Sequence, residues 1–130
     1  MAKDDYDAIV YRVLVYLYAC LKRKILFEEE TFQEAVRKNV ESDGYFFDVL
    51  RMMQEEGLIK DLCFKKTWGG DMILISDISD ARITPTGIHY LEDNDIMKKV
   101  GNILKGAADT IAKLAAIIGL ISKPIRIMNR

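Results

Sequence analysis

Apolar positions recur at intervals of three and four through the first two dozen residues. Tyr6, Ile9, Val10, Val13, Leu14, Leu17 and Leu21 mark one face of a helix over Asp4–Lys24. Asp4, Asp5 and Asp7 at its start and Lys22, Arg23 and Lys24 at its end complement the helix dipole. Val15, Tyr16, Tyr18 and Cys20 fill much of the opposite face, so the helix is buried on two sides. It is either the central helix of the domain or one that also meets a partner subunit. Ile25-Leu26-Phe27 reads as a short extended piece, followed by the acidic run Glu28-Glu29-Glu30. Thr31-Phe32-Gln33-Glu34 fits a capping box, in which threonine and glutamate satisfy each other's free backbone amides. It predicts a second helix to about Asn39, with Phe32, Ala35 and Val36 inward.

Ser42 is the next N-cap, and Phe46, Val49, Leu50 and Met53 form the core stripe of a third helix over Asp43–Glu56. Gly57 ends it in the left-handed region. Two short helices separated by Lys38–Glu41 make a helix-turn-helix candidate. Leu58–Phe64 reads as a strand, Lys65–Asp71 as a turn relying on Gly69-Gly70, and Met72–Ile75 as the second strand of a hairpin. Ser76–Ala81 is a polar connection. Thr84 then caps a fourth helix with Pro85 at its first position, where the missing amide costs nothing, and Ile83 and Ile88 sit at staple positions.

From Asp95 to Ile121 the pattern predicts one long helix. Ile96, Val100, Ile103, Ala107, Ile111, Leu114, Ile118 and Ile121 are spaced 4, 3, 4, 4, 3, 4 and 3, a heptad-like seam with one four-residue insertion. Lys98, Asn102, Lys105 and Asp109 lie on the far side. Pro124 closes the element, and Ile125–Arg130 reads as a frayed end.

Composition narrows the chemistry. With 130 residues, half of them hydrophobic and 30% charged, the chain has room for one core and a helical appendage. Two cysteines, Cys20 and Cys63, and one histidine, His89, argue against a disulfide scaffold, a thiolate cluster and a multi-histidine metal site. The apolar stretches Val13–Leu21 and Leu114–Ser122 fall short of the ~20 residues of a membrane span, and the charged start does not fit a signal peptide. A cytoplasmic location is the expectation. No phosphate-binding loop, dinucleotide fingerprint or nucleophile elbow occurs, so neither a catalytic site nor a cofactor is expected. Cys20 and Cys63 read as core residues, His89 as a surface or partly buried side chain, and Glu28-Glu29-Glu30 as a solvated helix entry. Charge is uneven: residues 1–92 hold 12 Lys and Arg against 17 Asp and Glu, a net of −5, whereas residues 93–130 hold 7 against 3, a net of +4.

The order helix, helix, helix, hairpin, capped helix resembles winged-helix proteins. Glu56-Gly57-Leu58-Ile59 and Ile83-Thr84-Pro85-Thr86-Gly87-Ile88-His89-Tyr90-Leu91 carry the likeness. The second is similar to the leucine-threonine-x-x-glycine-x-x-tyrosine-leucine segment that follows the wing in many small bacterial domains of this kind. More narrowly, residues 4–93 resemble the YjcQ-like proteins, small bacterial and phage-borne chains. The resemblance implies an α+β, mostly α fold: a winged helix-turn-helix domain over 1–93, with the long amphipathic helix and tail at 94–130 as an addition.

It also implies a DNA-binding or transcription-associated role, with double-stranded DNA as the partner and the third helix in the major groove. Tyr45, Asp48, Arg51 and Met52 lie on that helix's outward face, and Arg37 and Lys38 just before it could reach the backbone. Against this, Ser42–Glu56 contains one base, Arg51, and four acids, a net of −3, and a groove-reading helix faces two phosphate backbones. Such a face could equally dock a protein. On the hairpin turn, Lys65, Lys66 and Trp68 could grip phosphates, or Trp68 could fold back as core and leave the lysines solvated. The C-terminal helix has three readings. It forms a homodimer seam through Val100, Ile103, Ala107, Ile111, Leu114 and Ile118, it folds back over its own domain, or it lies on an anionic membrane.

Overall fold

The computed structural model describes residues 2–120, with side chains from Tyr6 onward. Six α-helices and two small antiparallel strand pairs make an α+β, mostly α fold, consistent with a winged-helix-like arrangement. The first helix, α1 (Ala2–Leu21), is its axis. Every residue from Ile9 to Leu17 is buried, so neither face of the helix is left for solvent. The helices α2 (Glu29–Val36), α3 (Asp43–Glu55), α4 (Pro85–Asp93), α5 (Asp95–Gly106) and α6 (Thr110–Ile117) all pack against it. The two-sided apolar pattern therefore marks a central helix, and its second face is covered by the chain's own α5 and α6.

Local capping sets α3 and α4 as the sequence predicts. The Ser42 hydroxyl accepts from the Tyr45 amide, Gly57 adopts a φ of 80°, and Thr84 accepts from the Gly87 amide with Pro85 in the first turn. The start of α2 differs. The helix begins at Glu29, which places Thr31 inside it, where its hydroxyl donates to the Glu28 carboxylate instead of forming a capping box. A tertiary contact fixes this end: the Tyr16 hydroxyl accepts from the Glu28 amide at 3.2 Å and sits 3.3 Å from the Glu28 carbonyl. Ile25–Phe27 forms no strand, and Phe27 joins Tyr16 and Phe32 in a cluster with ring centroids 5.2–5.4 Å apart.

The expected first hairpin strand is two strands. β1 (Ile59–Lys60) pairs with β4 (Arg82–Ile83), Ile59 opposite Ile83. Asp61 then takes a φ of 76° and turns the chain away. β2 (Phe64–Lys66) and β3 (Met72–Leu74) form the hairpin proper, with Lys65 opposite Ile73 and Lys66 opposite Met72. The polar connection contains a short 3₁₀ turn, Ile78–Asp80, whose Ile78 is buried.

The largest departure lies in the C-terminal region. The single helix expected from Asp95 is broken after Gly106, Ala108 takes a φ of 57°, and α6 restarts at Thr110. Asp109 is the cause. It is only 5% exposed rather than solvated, because its Oδ1 caps α6 at the Ile111 amide while its Oδ2 meets the Arg12 guanidinium at 3.1 Å. The seam is split accordingly: Ile111 and Ile118 belong to the same core as α1, Val100 and Leu114 are half-buried, and Ile103 and Ala107 are exposed. Ile121 and the end segment 122–130 lie outside the described residues.

Candidate nucleic-acid interface

The structure divides the sequence's basic candidates into engaged and unengaged groups. Arg37 closes the turn between α2 and α3. Its guanidinium pairs with Asp43 at 2.7 Å, donates to the carbonyls of Val40 and Glu41, and lies 5.0 Å from the Phe46 ring centroid. Lys38 reaches the buried Asp109 carboxylate at 3.7 Å, so it faces the corner between α5 and α6. On α3, Arg51 is held between Glu55 at 2.8 Å and Asp48 at 3.6 Å, on the same helix. Tyr45 and Met52 are each 39% exposed beside these carboxylates. The outward face of α3 is thus acidic with two large side chains, and its one guanidinium is neutralised in place.

The hairpin is the opposite case. Lys65 and Lys66 are exposed, and neither has an ion-pair partner among the described residues. Trp68 is 107% exposed at the turn and touches no other ring among the described residues. This corrects the reading in which it folds back as core. A Thr67–Asp71 backbone bond of 2.7 Å and a Gly70–Thr67 bond of 3.0 Å close the turn that carries it. Cys63 is likewise exposed rather than core, whereas Cys20 is half-buried, and burial pushes its thiol up against the opposing influence of Arg82.

The hairpin is tied to α3. The Gln54 side-chain amide donates to the Leu62 carbonyl at 2.9 Å, and its oxygen accepts from the Leu62 amide at 3.0 Å. The Ser76 hydroxyl accepts from the Cys63 amide at 3.0 Å. Lys65, Lys66 and Trp68 therefore form one local group on a braced element, beside but not merged with the acidic α3 face. Lys38 stands apart from them at the α5–α6 corner. Nothing in the sequence reveals the engaged state of Arg37. The i,i+3 and i,i+4 spacing of Arg51 to Asp48 and Glu55 does carry the signal of its neutralisation.

Neither a metal-ligating cluster nor a membrane-crossing helix occurs among the described residues. No group of three or more His, Cys, Asp or Glu side chains gathers as a metal site, and Glu28, Glu29 and Glu30 are exposed. No helix among the described residues is long and apolar enough to cross a membrane. His89 is exposed on α4.

The two segments that carry the family likeness meet in space. The Thr84 hydroxyl donates to the Gly57 carbonyl, with the Leu58 carbonyl 3.1 Å away, and the Thr84 amide bonds the Leu58 carbonyl at 3.1 Å. A Cβ on Gly87 would collide with the same Leu58 carbonyl. The model of the YjcQ protein family matches residues 11–110. The chain belongs to the YjcQ family. The matched span runs past α4 to include α5 and Asp109, beyond the residues 4–93 over which the sequence likeness is evident, and it contains both Arg12 and Asp109. No curated protein matches the chain, and neither does any solved structure.

Proposed function

We propose that this YjcQ-family protein is a winged-helix-like nucleic-acid-binding module, a binder rather than a catalyst, that makes contact through the β2–β3 hairpin. The observation that carries the reading is Trp68, wholly exposed on a closed turn beside two lysines without ion-pair partners. An ammonium without a protein partner is available for a phosphate, and an exposed indole is available for a sugar or base. Helix α3 takes a supporting role in this reading, because its acidic face and neutralised Arg51 oppose deep entry into a groove.

The test is fluorescence anisotropy of labelled duplex and single-stranded probes of matched sequence, at about 50 and about 200 mM salt. Two phosphate contacts predict a loss of only about tenfold for a duplex between these conditions, against about a thousandfold for a six-phosphate binder. Lys65→Ala with Lys66→Ala is expected to abolish most of the affinity. Failure of both probes to bind at concentrations on the order of tens of micromolar at low salt overturns the reading. A second reading then takes over: Tyr45 and Met52, exposed among Asp48 and Glu55, suit docking of a basic protein segment on α3.

A further inference from the structure

The hairpin carries a narrower inference, which rests on the nucleic-acid reading. We propose that it takes single-stranded polynucleotide, with an unpaired base stacked on the Trp68 indole and a flanking phosphate on Lys65 or Lys66.

Three observations favour a single strand over a duplex. The first is the indole itself, which is fully exposed and has no ring partner among the described residues. A hypothetical Cβ at Gly69 or Gly70 meets nothing within 4 Å, so the turn next to the tryptophan is uncrowded. A base within a duplex is already stacked on both faces, whereas an unpaired base can lie on an aromatic plane. The second is the register. Lys65 faces Ile73 and Lys66 faces Met72, and successive strand residues point to opposite faces. The two ammonium groups therefore lie on opposite faces of β2, both just ahead of the turn that presents Trp68. A strand laid over the indole can meet a lysine on whichever face its backbone passes. The third is the neighbourhood. A duplex brings a second phosphate backbone, and the α3 surface that would meet it holds Asp48 and Glu55 around its guanidinium. A single strand has one backbone and brings no second row of phosphates against that surface. Asp71, exposed on the far side of the turn, is the one carboxylate of the turn itself, and it limits affinity without blocking the indole.

Trp68 is the only tryptophan in the sequence, so fluorescence excited at the red edge, where the six tyrosines do not absorb, reads this site alone. The full chain is titrated with a short oligothymidylate, a matched oligouridylate, a duplex of equal length and vesicles of anionic phospholipid. Stacking predicts quenching by the single strands, with the relative strength of the thymidylate and uridylate arms separating DNA from RNA, and little response to the duplex. Trp68→Ala, followed by anisotropy, is expected to weaken single-strand binding between about fivefold and about 150-fold, and Trp68→Phe to recover part of the loss. Asp71→Asn is expected to tighten it. Binding and quenching by the duplex but not by single strands overturns this inference and leaves the nucleic-acid reading standing. Single-strand binding that leaves the indole emission unchanged also overturns it, because the contact then lies elsewhere. No response to any nucleic acid overturns both. A blue-shifted emission with vesicles alone assigns the hairpin to a lipid surface instead.

Discussion

The corner where α5 meets α6 and the tip of the β2–β3 hairpin both combine charge with apolar side chains, and they use them in opposite ways. At the corner, the Asp109 carboxylate serves the Ile111 amide, Arg12 and Lys38 at once, and all but Lys38 are buried. At the tip, Lys65, Lys66 and Trp68 meet solvent, and the turn beneath them is closed by backbone bonds alone. The first arrangement is what a chain does with charge when the charge holds the fold. The second is stable without its side chains, which frees those side chains for a partner. Substitutions at the two places therefore have separable consequences, stability at the corner and binding at the tip.

The largest effect is expected at Asp109. Asp109→Ala removes the α6 cap and leaves the Arg12 guanidinium buried without its carboxylate; its Nε already lacks a partner. Breaking a buried pair from one side costs about 3–5 kcal/mol. Urea unfolding is expected to show a loss of that size. Arg12→Met with Asp109→Asn, which keeps a capping oxygen and removes both charges, is expected to recover much of it. A single substitution that proved neutral would break the comparison, since the corner would then hold no more of the fold than the tip does.

Next is the junction between the two likeness-bearing segments. Gly87→Ala drives a methyl group into the Leu58 carbonyl, which is backbone and cannot swing aside. A loss of about 1–3 kcal/mol in urea unfolding is expected, and Thr84→Ala should cost about 0.5–2 kcal/mol through its cap. The contact explains why these segments are legible together. The threonine, the glycine and the Gly57-Leu58 carbonyls form one interlock, so the short motif in sequence is a single piece of geometry.

Other features were legible for local reasons, and some were not. The α1 periodicity, the Ser42 and Thr84 caps and the Gly57 stop depend on neighbours within a turn or two, so sequence spacing exposes them. The break before α6 escapes the periodic reading because both helices turn apolar faces to the same α1, although α5 does so with Met97 and Leu104 while Ile96, Ile103 and Ala107 of the expected seam are exposed. The four-residue insertion at Ala107–Ile111 is its trace, and Asp109 ahead of Thr110 is the cap. The α2 start depends on Tyr16, twelve residues earlier, and β4 is two residues long, too short to alternate. For the candidate site, glycine pairing indicates the turn, but no local rule states whether Trp68 folds inward.

Alkaline pH offers a smaller effect on the same core. Burial, and then the Asp109 carboxylate, push the Tyr11 phenol up to about 12 from its ordinary value of about 10. A folded state that holds its proton more tightly than the unfolded chain is stabilised relative to the ionised form. That contribution is complete below pH about 10 and is lost as pH rises through about 12. Tyr6, Tyr16, Tyr18 and Tyr90 are shifted in the same direction by burial. Urea midpoints measured across this window are expected to fall, with Tyr11→Phe flattening the decline by roughly 2 kcal/mol.

The smallest stability effect is expected where binding is most affected. Trp68→Ala removes a side chain that contacts no core residue, and the Thr67–Asp71 bond that closes the turn is backbone to backbone. Its urea midpoint should correspond to a change within about 0.5 kcal/mol of the parent, as for surface positions in general. An indole left in water adds nothing to the fold, so a large loss of stability would mean that Trp68 packs on the body in solution. The tip would then be an extension of the core rather than its counterpart, and a stacked base would have no free ring to meet.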